Sequence, residues 1–557
     1  MKKIYILLLL SLVVTLGNAK NRTDSQMRAI AERQLSFTSS VAKARGDKPI
    51  DVSCQLSKPT LNVYSGENGF VVVSRDDCFP EVLAYGSGKF DVATMPDATE
   101  WWLEAVQICM QNASGLLKRE PIEHKVVAPL LTTKWGQGPP FNNYAPIFKK
   151  DKTKAPSGCV AIAMAQVMNF NKYPESAKFT GSYSVSDDPD DIETVSVNST
   201  YQWPYLDAYS YYFPEGSSEY KTVDSTPRQG NAIATLCRDC GYAVGMQYNP
   251  SGSGAFTADV AQKLIDIFKY SEVSVSYFYR PLYSEREWMS IIYDELSKGY
   301  PFIYSGHSEE SGGHAFVADG VDAEGLLHIN WGWSGQNDGY YDFRLLNPEG
   351  EGGFYDSQQV VTGIRPEALE SDTYGSSLYT PAPFKLSYDN EKRTMTVYEY
   401  GIYNWCGKRI VGDVGILFEN MTNPEKSDTL SFPLEGEPLE MNYGWGEGED
   451  VHEWEFAPGN YRVYLASKDV HETEWQMGRV PGLGAFYYEM TVDEDKNVII
   501  GAEPVSTGIE SILFNATTNN HYQLGDNIYD LNGRMVGNSD AKHQKGIFIV
   551  NGKKVLK

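Results

Sequence analysis

Residues 156–168 read Pro156-Ser157-Gly158-Cys159-Val160-Ala161-Ile162-Ala163-Met164-Ala165-Gln166-Val167-Met168. Apolar residues recur there at helical spacing and Tyr173-Pro174 follows, which predicts an amphipathic helix that begins at or near Cys159. In the first turn of a helix, unpaired backbone N–H groups and the positive dipole end stabilise a thiolate. The same N–H groups can bind the oxyanion formed when a carbonyl is attacked. Cys159 is therefore a candidate nucleophile; the alternative is a small buried cysteine that begins a core helix.

Three histidines between residues 128 and 366 could serve as the base for this thiol: His307, His314 and His328. His314 follows two glycines and enters an apolar strand-like run, and a second run ends at Asn330-Trp331. A turn at 322–325 between the two runs predicts adjacent strands that bring His314 close to Asn330 or Trp331. A Cys–His pair requires a base that a third group orients. The alternative is two ordinary core strands that carry a structural histidine.

The length, net charge and cysteine count of the chain limit the class of protein. A chain of 557 residues is too long for one core and predicts roughly three to five units. Its formal net charge of −25 argues against a nucleic-acid partner, because a phosphate binder needs the opposite sign. Seven cysteines are an odd number, so at least one thiol has no partner within the chain.

The first segment predicts export. Lys2 and Lys3 precede an apolar run over residues 4–16, which small residues follow up to Ala19. This is the pattern of a secretory signal peptide over residues 1–19. No later run reaches about 18 consecutive apolar residues, so we expect no membrane-spanning segment in the mature chain.

Four further units follow in the sequence. Residues 20–127 alternate helical and short strand-like patterns and predict a small α+β unit. Residues 128–366 contain all the candidate chemistry, and residues 367–507 contain β-branched and aromatic runs that predict a β-sandwich. Residues 508–557 carry further short strands. The predicted fold class of the whole chain is α+β.

Five segments, together with the last residues of the 128–366 unit, resemble the streptopain family of cysteine peptidases, which have a papain-like fold. They are Thr133–Gly138, Ser157–Ala161, Tyr248–Ser253, Gly312–Val317, His328–Trp333 and the ending Val360–Pro366. Their order and spacing match the family over residues 128–366, which would make that unit the papain-like catalytic domain.

The resemblance implies a role for individual residues. Cys159 is implied as the nucleophile and His314 as the general base and then acid. Gln137 is similar to the side-chain amide donor to the oxyanion, beside the Cys159 backbone N–H. Asn330 is similar to the residue that orients the imidazole, a role that Trp331 would share by covering the ring. The substrate-binding positions of the family fall on Ser253 and Gly313.

The resemblance also implies how the enzyme is made and what it meets. It implies protein or peptide substrates, no metal and no organic cofactor. Residues 20–127 resemble an inhibitory propeptide, so the chain would be a zymogen that is cleaved between Lys118 and Pro129. The tail resembles the sorting domains of a Gram-negative secretion system. We therefore expect an extracellular or outer-surface protein with the bacterial secretion machinery as a partner.

Two other functions stay open at this point. The same Cys–His pair could transfer an acyl group, as in transglutaminases or amidases, and the aromatic, acidic C-terminal third would suit a surface adhesin or binding module.

Two further motifs provide weaker evidence for a metal site. The pair Cys237 and Cys240 lacks the second ligand pair of a zinc site, and the acidic run 187–191 lacks the spacing of an EF-hand.

Overall fold

The structure, a computed structural model, describes residues 21–38, 51–67, 69–112, 122–188, 191–207, 227–308, 312–346, 358–432, 434 and 437–507, with short strands within 210–223 and 527–556. The predicted signal peptide lies outside the described residues. No helix among the described residues has the length and apolar character needed to cross a membrane. We refer below to the N-terminal unit (20–127), the central domain (128–366), the sandwich domain (367–507) and the tail (508–557).

The N-terminal unit contains two helices and a four-stranded antiparallel sheet. Its elements are α1 (Asp24–Thr38), β1 (Ser53–Ser57), β2 (Leu61–Gly66), β3 (Gly69–Ser74), β4 (Val82–Gly86) and α2 (Asp97–Asn112). Helix α1 packs on this sheet, and α2 contacts β10 (Phe302–Ser308) of the central domain. Helix α1 buries Met27, Ile30 and Leu35 against the sheet at Val71 and Val73, as the helical spacing of its apolar residues requires.

The central domain combines helices with a sheet. Its elements are α3 (Cys159–Asn171), β5 (Ser176–Ser184), β6 (Ile192–Thr200), α4 (Trp203–Asp207), β7 (Ser210–Tyr212), β8 (Lys221–Val223), α5 (Pro227–Ala243), α6 (Thr257–Asp266), β9 (Ser276–Tyr279), α7 (Glu285–Ser297), β10 (Phe302–Ser308), β11 (Gly312–Val321), β12 (Leu327–Asn330), β13 (Gly339–Tyr341) and β14 (Gln359–Thr362). Strands β11 and β12 pair antiparallel across the turn at 322–325, as predicted.

One antiparallel sheet continues across the N-terminal unit and the central domain. Its ten strands run in the order β1-β2-β3-β4-β13-β12-β11-β10-β14-β9. Strand β4 joins β13 with Tyr85 opposite Tyr340, and these two rings stack with centroids 5.0 Å apart. Gly86 faces Gly339 in the same pairing, and a Cβ on Gly339 would lie 2.4 Å from the Tyr85 carbonyl oxygen. The N-terminal unit is therefore docked through main-chain pairing as well as through side chains.

Helix α3 lies in the centre of the central domain. Every residue from Val160 to Asn169 is buried, because α5 covers one side of the helix and β11 another. The predicted start at Cys159 is confirmed, but the predicted amphipathic character is wrong, because residues on every side of the helix are buried. The helix begins after Gly158, whose φ of +88° favours glycine; a Cβ there would also lie 2.7 Å from the Met246 sulfur. These constraints fix the Ser-Gly-Cys turn.

The sandwich domain is built from β15 (Leu378–Tyr379), β16 (Lys385–Asp389), β17 (Thr394–Asn404), β18 (Gly412–Asn420), β19 (Asp428–Ser431), β20 (Gly444–Glu453), β21 (Gly459–Asp469), β22 (Gln476–Met477), β23 (Arg479–Val480), β24 (Gly484–Val492), β25 (Val498–Ile500) and β26 (Val505–Ser506). Four predicted runs of apolar residues coincide with β17, β18, β21 and β24. The tail contributes a separate four-stranded sheet of β27 (Asn527–Tyr529), β28 (Met535–Asn538), β29 (Ile547–Val550) and β30 (Lys553–Leu556).

Buried contacts hold the sandwich domain against the central domain. The Trp405 ring packs edge-on against Tyr277 and Tyr279 with centroids 6.4 and 6.3 Å away. The Lys408 ammonium donates to the Glu272 carbonyl oxygen at 2.9 Å, and burial lowers its pKa to about 8. These contacts cover the side of the central domain formed by α6 and β9.

Candidate active site

Cys159 is the first residue of α3, at the end of the helix where backbone N–H groups are free to interact with an anion. Burial alone would raise the pKa of this thiol. The positive charge and hydrogen bond of His314, with the backbone N–H groups of Ala315 and Val160, outweigh burial and hold the pKa below its usual value. The thiolate is therefore favoured at this cysteine.

His314 stands on β11, and its side chain is almost completely buried. Burial acts to lower the pKa of this imidazole, but the charge and hydrogen bond of Cys159 raise it, followed by the Trp331 carbonyl and the Asp97 carboxylate. The net shift is upward. Opposite shifts in two hydrogen-bonded groups are the signature of a thiolate–imidazolium pair.

The group that orients His314 is a main-chain carbonyl. The Nε2 atom lies 2.9 Å from the carbonyl oxygen of Trp331, which can only accept, so Nε2 carries the proton and Nδ1 is left for Cys159. The Trp333 indole Nε1 lies 3.2 Å from the same Nε2. A protonated Nε2 cannot also accept that N–H, so these two contacts are alternatives.

Two predicted partners of the imidazole need correction. Asn330 does not contact His314: its side-chain amide is engaged by Gln166, the Gly332 N–H and the Thr133 carbonyl. The indole of Trp331 does not cover the imidazole, because it packs in the core and donates from Nε1 to the Asn337 carbonyl oxygen at 3.1 Å. Trp331 acts through its backbone.

The ring beside the base is Trp333. Its centroid lies 6.1 Å from that of His314, with the planes tilted by 37°. The Trp331 ring packs instead on Phe316 and Tyr341, at centroid distances of 4.7 and 5.0 Å. The two tryptophan rings, two positions apart in sequence, therefore have different neighbours, which a sequence reading does not distinguish.

Gln137 lies beside the turn that carries the nucleophile. Its carbonyl oxygen accepts the Ser157 N–H at 3.0 Å, and the side chain is partly exposed. Trp135 lies in the same loop, and its ring is buried. The backbone carbonyl of Trp135 accepts the Ser334 N–H at 3.0 Å. The main chain of Gln137 is therefore bonded directly to the turn that carries Cys159.

The two predicted substrate contacts differ in their surroundings. Ser253 is buried, and its hydroxyl donates to the Pro156 carbonyl oxygen at 2.8 Å, which steadies the nucleophile turn. Gly313 is exposed, and a Cβ there would meet the His307 ring at 3.4 Å and the Gly306 carbonyl oxygen at 3.9 Å, both ordinary contacts. Packing at this position therefore leaves room for a side chain.

Other groups that could hold a metal or react lie elsewhere. Among the described residues, the cluster of three potential ligands close enough to share a metal ion is Asp76, Asp77 and Cys78, in the turn after β3. Cys237 and Cys240 are buried inside α5, where burial raises the pKa of both thiols and makes them poor nucleophiles.

The N-terminal unit contacts the pair of strands, β10 and β11, that includes His314. Gly306 lies opposite His314 in the β10–β11 pairing, and a Cβ on Gly306 would lie 2.1 Å from the Trp101 ring. Trp101 belongs to α2 and is almost fully buried. Nearby, the Gln336 amide donates to the Thr94 hydroxyl at 2.8 Å. Directly opposed residues of an antiparallel pair point to the same face of the sheet, so α2 packs on the face from which the His314 side chain projects.

Sequence reasoning missed three residues that support this site. Trp333 was quoted in a motif without a role, and Asp338, whose carboxylate accepts the Trp331 N–H at 3.0 Å, was not considered. Gln166 is fully buried and hydrogen-bonded to Asn330 at 3.0 Å. The sequence could have indicated Gln166, because it is a polar residue inside an apolar helical run, seven positions after Cys159.

Comparison with known proteins identifies two family matches within the chain. The model of the peptidase C10 family matches residues 135–341, and that of the Spi protease inhibitor matches residues 23–110. The thiol protease/hemagglutinin PrtT of Porphyromonas gingivalis is 33% identical over 405 residues, which span 67% of this chain and 45% of PrtT. Streptopain of Streptococcus pyogenes is 31% identical over 379 residues, 63% of this chain and 92% of streptopain.

Among solved structures, a prointerpain A fragment of Prevotella intermedia is 33% identical and covers 57% of this chain and 100% of the fragment, with a TM-score of 0.48. At 31% identity, the match to this chain spans 92% of streptopain. The chain therefore belongs to the streptopain-like C10 family of cysteine peptidases, with a Spi-type inhibitor domain ahead of its peptidase domain.

Proposed function

We propose that the chain is the precursor of a secreted cysteine endopeptidase that hydrolyses proteins through a Cys159 thioester. The observation that supports this most strongly is the hydrogen-bonded Cys159–His314 pair with its opposite pKa shifts. An isolated structural cysteine or histidine has no reason to show either shift in this direction, because burial acts against both.

In this proposal the Cys159 thiolate attacks the carbonyl carbon of the scissile peptide bond. The oxyanion is stabilised by the Cys159 backbone N–H and the side-chain amide of Gln137. Imidazolium His314 then gives its Nδ1 proton to the leaving amine as the C–N bond breaks, which leaves the acyl-enzyme. A water molecule, deprotonated by His314, hydrolyses the thioester and releases the acid product.

The pH dependence of proteolysis tests this mechanism. We expect a bell-shaped profile of kcat/KM for the activated enzyme on a peptide substrate. Activity rises as pH rises through the lowered pKa of Cys159 and falls as pH rises through the raised pKa of His314, because only the ion pair reacts. An acid limb at the pKa of an ordinary thiol would contradict the proposed pair.

We further propose that the N-terminal unit is an inhibitory prosegment, removed by cleavage between Lys118 and Pro129. Three contacts support it: the β4–β13 pairing, the Trp101 ring against Gly306, and Thr94 with Gln336. Together they hold a separate chain segment against the sheet that contains the His314 strand.

Replacing Trp101 with alanine is expected to make the uncleaved precursor active. Removing a buried tryptophan costs about 3–5 kcal/mol, which weakens docking of the unit by about 100-fold or more. The measurement is peptidase activity of precursors that carry an uncleavable 118–129 linker, with and without Trp101→Ala. The matured forms provide the control, since both lack residue 101 and must be identical. Equal inactivity of the two folded precursors would contradict the role of Trp101.

The proposed location is the cell exterior or outer surface, reached through the signal peptide and a final step directed by the tail. The separate four-stranded sheet of the tail supports a distinct sorting unit. We expect a chain that ends at Thr507 to keep full peptidase activity when produced in soluble form but to accumulate in the periplasm of its host. This end point retains β26, which pairs with β24. Cell fractionation measures the amount of the truncated protein in the periplasm, on the surface and in the medium. Wild-type amounts outside the cell would contradict a sorting role of the tail.

A further inference from the structure

Gln166 lies on α3 seven residues after the candidate nucleophile, which is about two helical turns along the same face. Its side chain has no solvent exposure, and both ends of its amide are occupied. The Oε1 atom accepts the Thr133 hydroxyl at 2.7 Å, and Nε2 donates to Asn330 Oδ1 at 3.0 Å. A buried amide with both ends bonded fixes the orientation of its neighbours.

Main-chain groups determine the orientation of Asn330. The Thr133 carbonyl can only accept, so it takes the Asn330 Nδ2–H at 2.7 Å, and the Gly332 N–H can only donate, so it faces Oδ1 at 3.1 Å. Oδ1 therefore lies between two donors, the Gly332 N–H and Gln166 Nε2. Without Gln166, this buried oxygen loses one donor and the loop loses its connection to α3.

The peptide group that joins Trp331 and Gly332 connects this amide network to the base. Its N–H end donates to Asn330, and its carbonyl end lies 2.9 Å from His314 Nε2. A peptide bond that donates at one end is a stronger acceptor at the other, because hydrogen bonds in a chain polarise one another. Asn330 therefore acts on His314 through the intervening peptide, without touching the ring.

We propose that Gln166 is a positioning residue for the Cys–His pair, acting through Asn330 and the Trp331–Gly332 peptide on His314. The inference rests on the peptidase function proposed above. In this arrangement α3 does two things: its first residue is the nucleophile, and two turns later it fixes the group that orients the base. Movement of the helix would then displace both members of the pair together.

The test replaces Gln166 with leucine and compares Gln262→Leu as a matched control. Gln262 is also a buried helical glutamine, but its Oε1 accepts the Arg409 N–H at 2.9 Å at the border with the sandwich domain. We expect Gln166→Leu to lower kcat of the activated enzyme by about 10- to 100-fold, the range for losing a partner that orients a functional histidine. KM should change little, since Gln166 does not contact substrate.

The second readout is the rate of Cys159 alkylation by iodoacetamide as a function of pH, followed by mass spectrometry of its peptide. We expect the thiol pKa to rise in Gln166→Leu and to stay at the wild-type value in Gln262→Leu. A merely structural role would lower thermal stability in both variants without moving this pKa. Unchanged kcat and thiol pKa in folded Gln166→Leu would overturn the inference.

An isosteric variant covers the case in which the leucine variant does not fold. In Gln166→Glu, the protonated carboxyl can still donate to Asn330, whereas the carboxylate cannot. We expect kcat relative to wild type to decline as pH rises through the carboxyl pKa, and a pH-independent ratio near one would contradict the proposal. A wild-type enzyme without a depressed thiol pKa would instead refute the peptidase assignment itself, so the two failures are distinguishable.

Discussion

Replacing Cys159 with alanine is expected to abolish proteolysis by the activated enzyme, with a loss of about 10⁴-fold or more. The reason is that this variant removes the proposed nucleophile, on which the acyl-enzyme forms. The variant should fold, because the thiol is at the start of α3 and is only partly buried. The measurement is casein cleavage and peptide hydrolysis at matched concentrations of folded protein.

The control for this variant is Cys237→Ala. Cys237 is buried in α5, and burial raises the pKa of its thiol, so it lacks the features that make Cys159 reactive. We expect this variant to keep near wild-type activity with some loss of stability. Residual activity of Cys159→Ala close to wild type would contradict the assignment of the nucleophile.

Replacing His314 with alanine is the second large effect, and we again expect a loss of about 10⁴-fold or more. Without the imidazole, the thiol loses the charge and hydrogen bond that do most to lower its pKa, and the leaving amine loses its proposed proton donor. The variant should also lose the rapid alkylation of Cys159 near neutral pH, which reports the thiolate independently of turnover.

Two other histidines of the central domain provide controls. His328 lies on the neighbouring strand and bonds the buried Asp319 carboxylate at 2.6 Å, so His328→Gln, which retains a donor, should keep activity. His307 lies across from Gly313 on β10, close to the site but outside the pair, and His307→Ala should also be active. An inactive His307→Ala beside an active His314→Ala would show that the base was assigned to the wrong histidine.

Local patterns in the sequence predicted the parts of the site that depend on neighbouring residues. A glycine before Cys159 and an apolar run after it predicted a nucleophile at a helix start. The turn at 322–325 predicted the strand pair that brings His314 to the 330–331 segment, and the structure has that pairing. Both inferences use contacts within a few tens of residues, where spacing constrains geometry.

The remaining features depend on distant pairings or on backbone atoms. The β4–β13 pairing joins residues more than 250 positions apart, and no local pattern indicates which edge strand receives β4. The group that orients His314 is the carbonyl of Trp331, and any residue type supplies a carbonyl, so the sequence directed attention to the Asn330 side chain. The complete burial of α3 likewise depends on elements distant in sequence, including α5 and β11.

In the proposed mechanism one thiol, Cys159, activated by His314, performs proteolysis. An epoxide that alkylates active-site thiols tests this when adduct formation and casein cleavage by the activated enzyme are followed together. We expect a single adduct, located on Cys159 by peptide mapping, with activity lost in proportion to its formation and no adduct in His314→Ala. Full activity after complete modification of Cys159, or inactivation with the adduct on another residue, would contradict it.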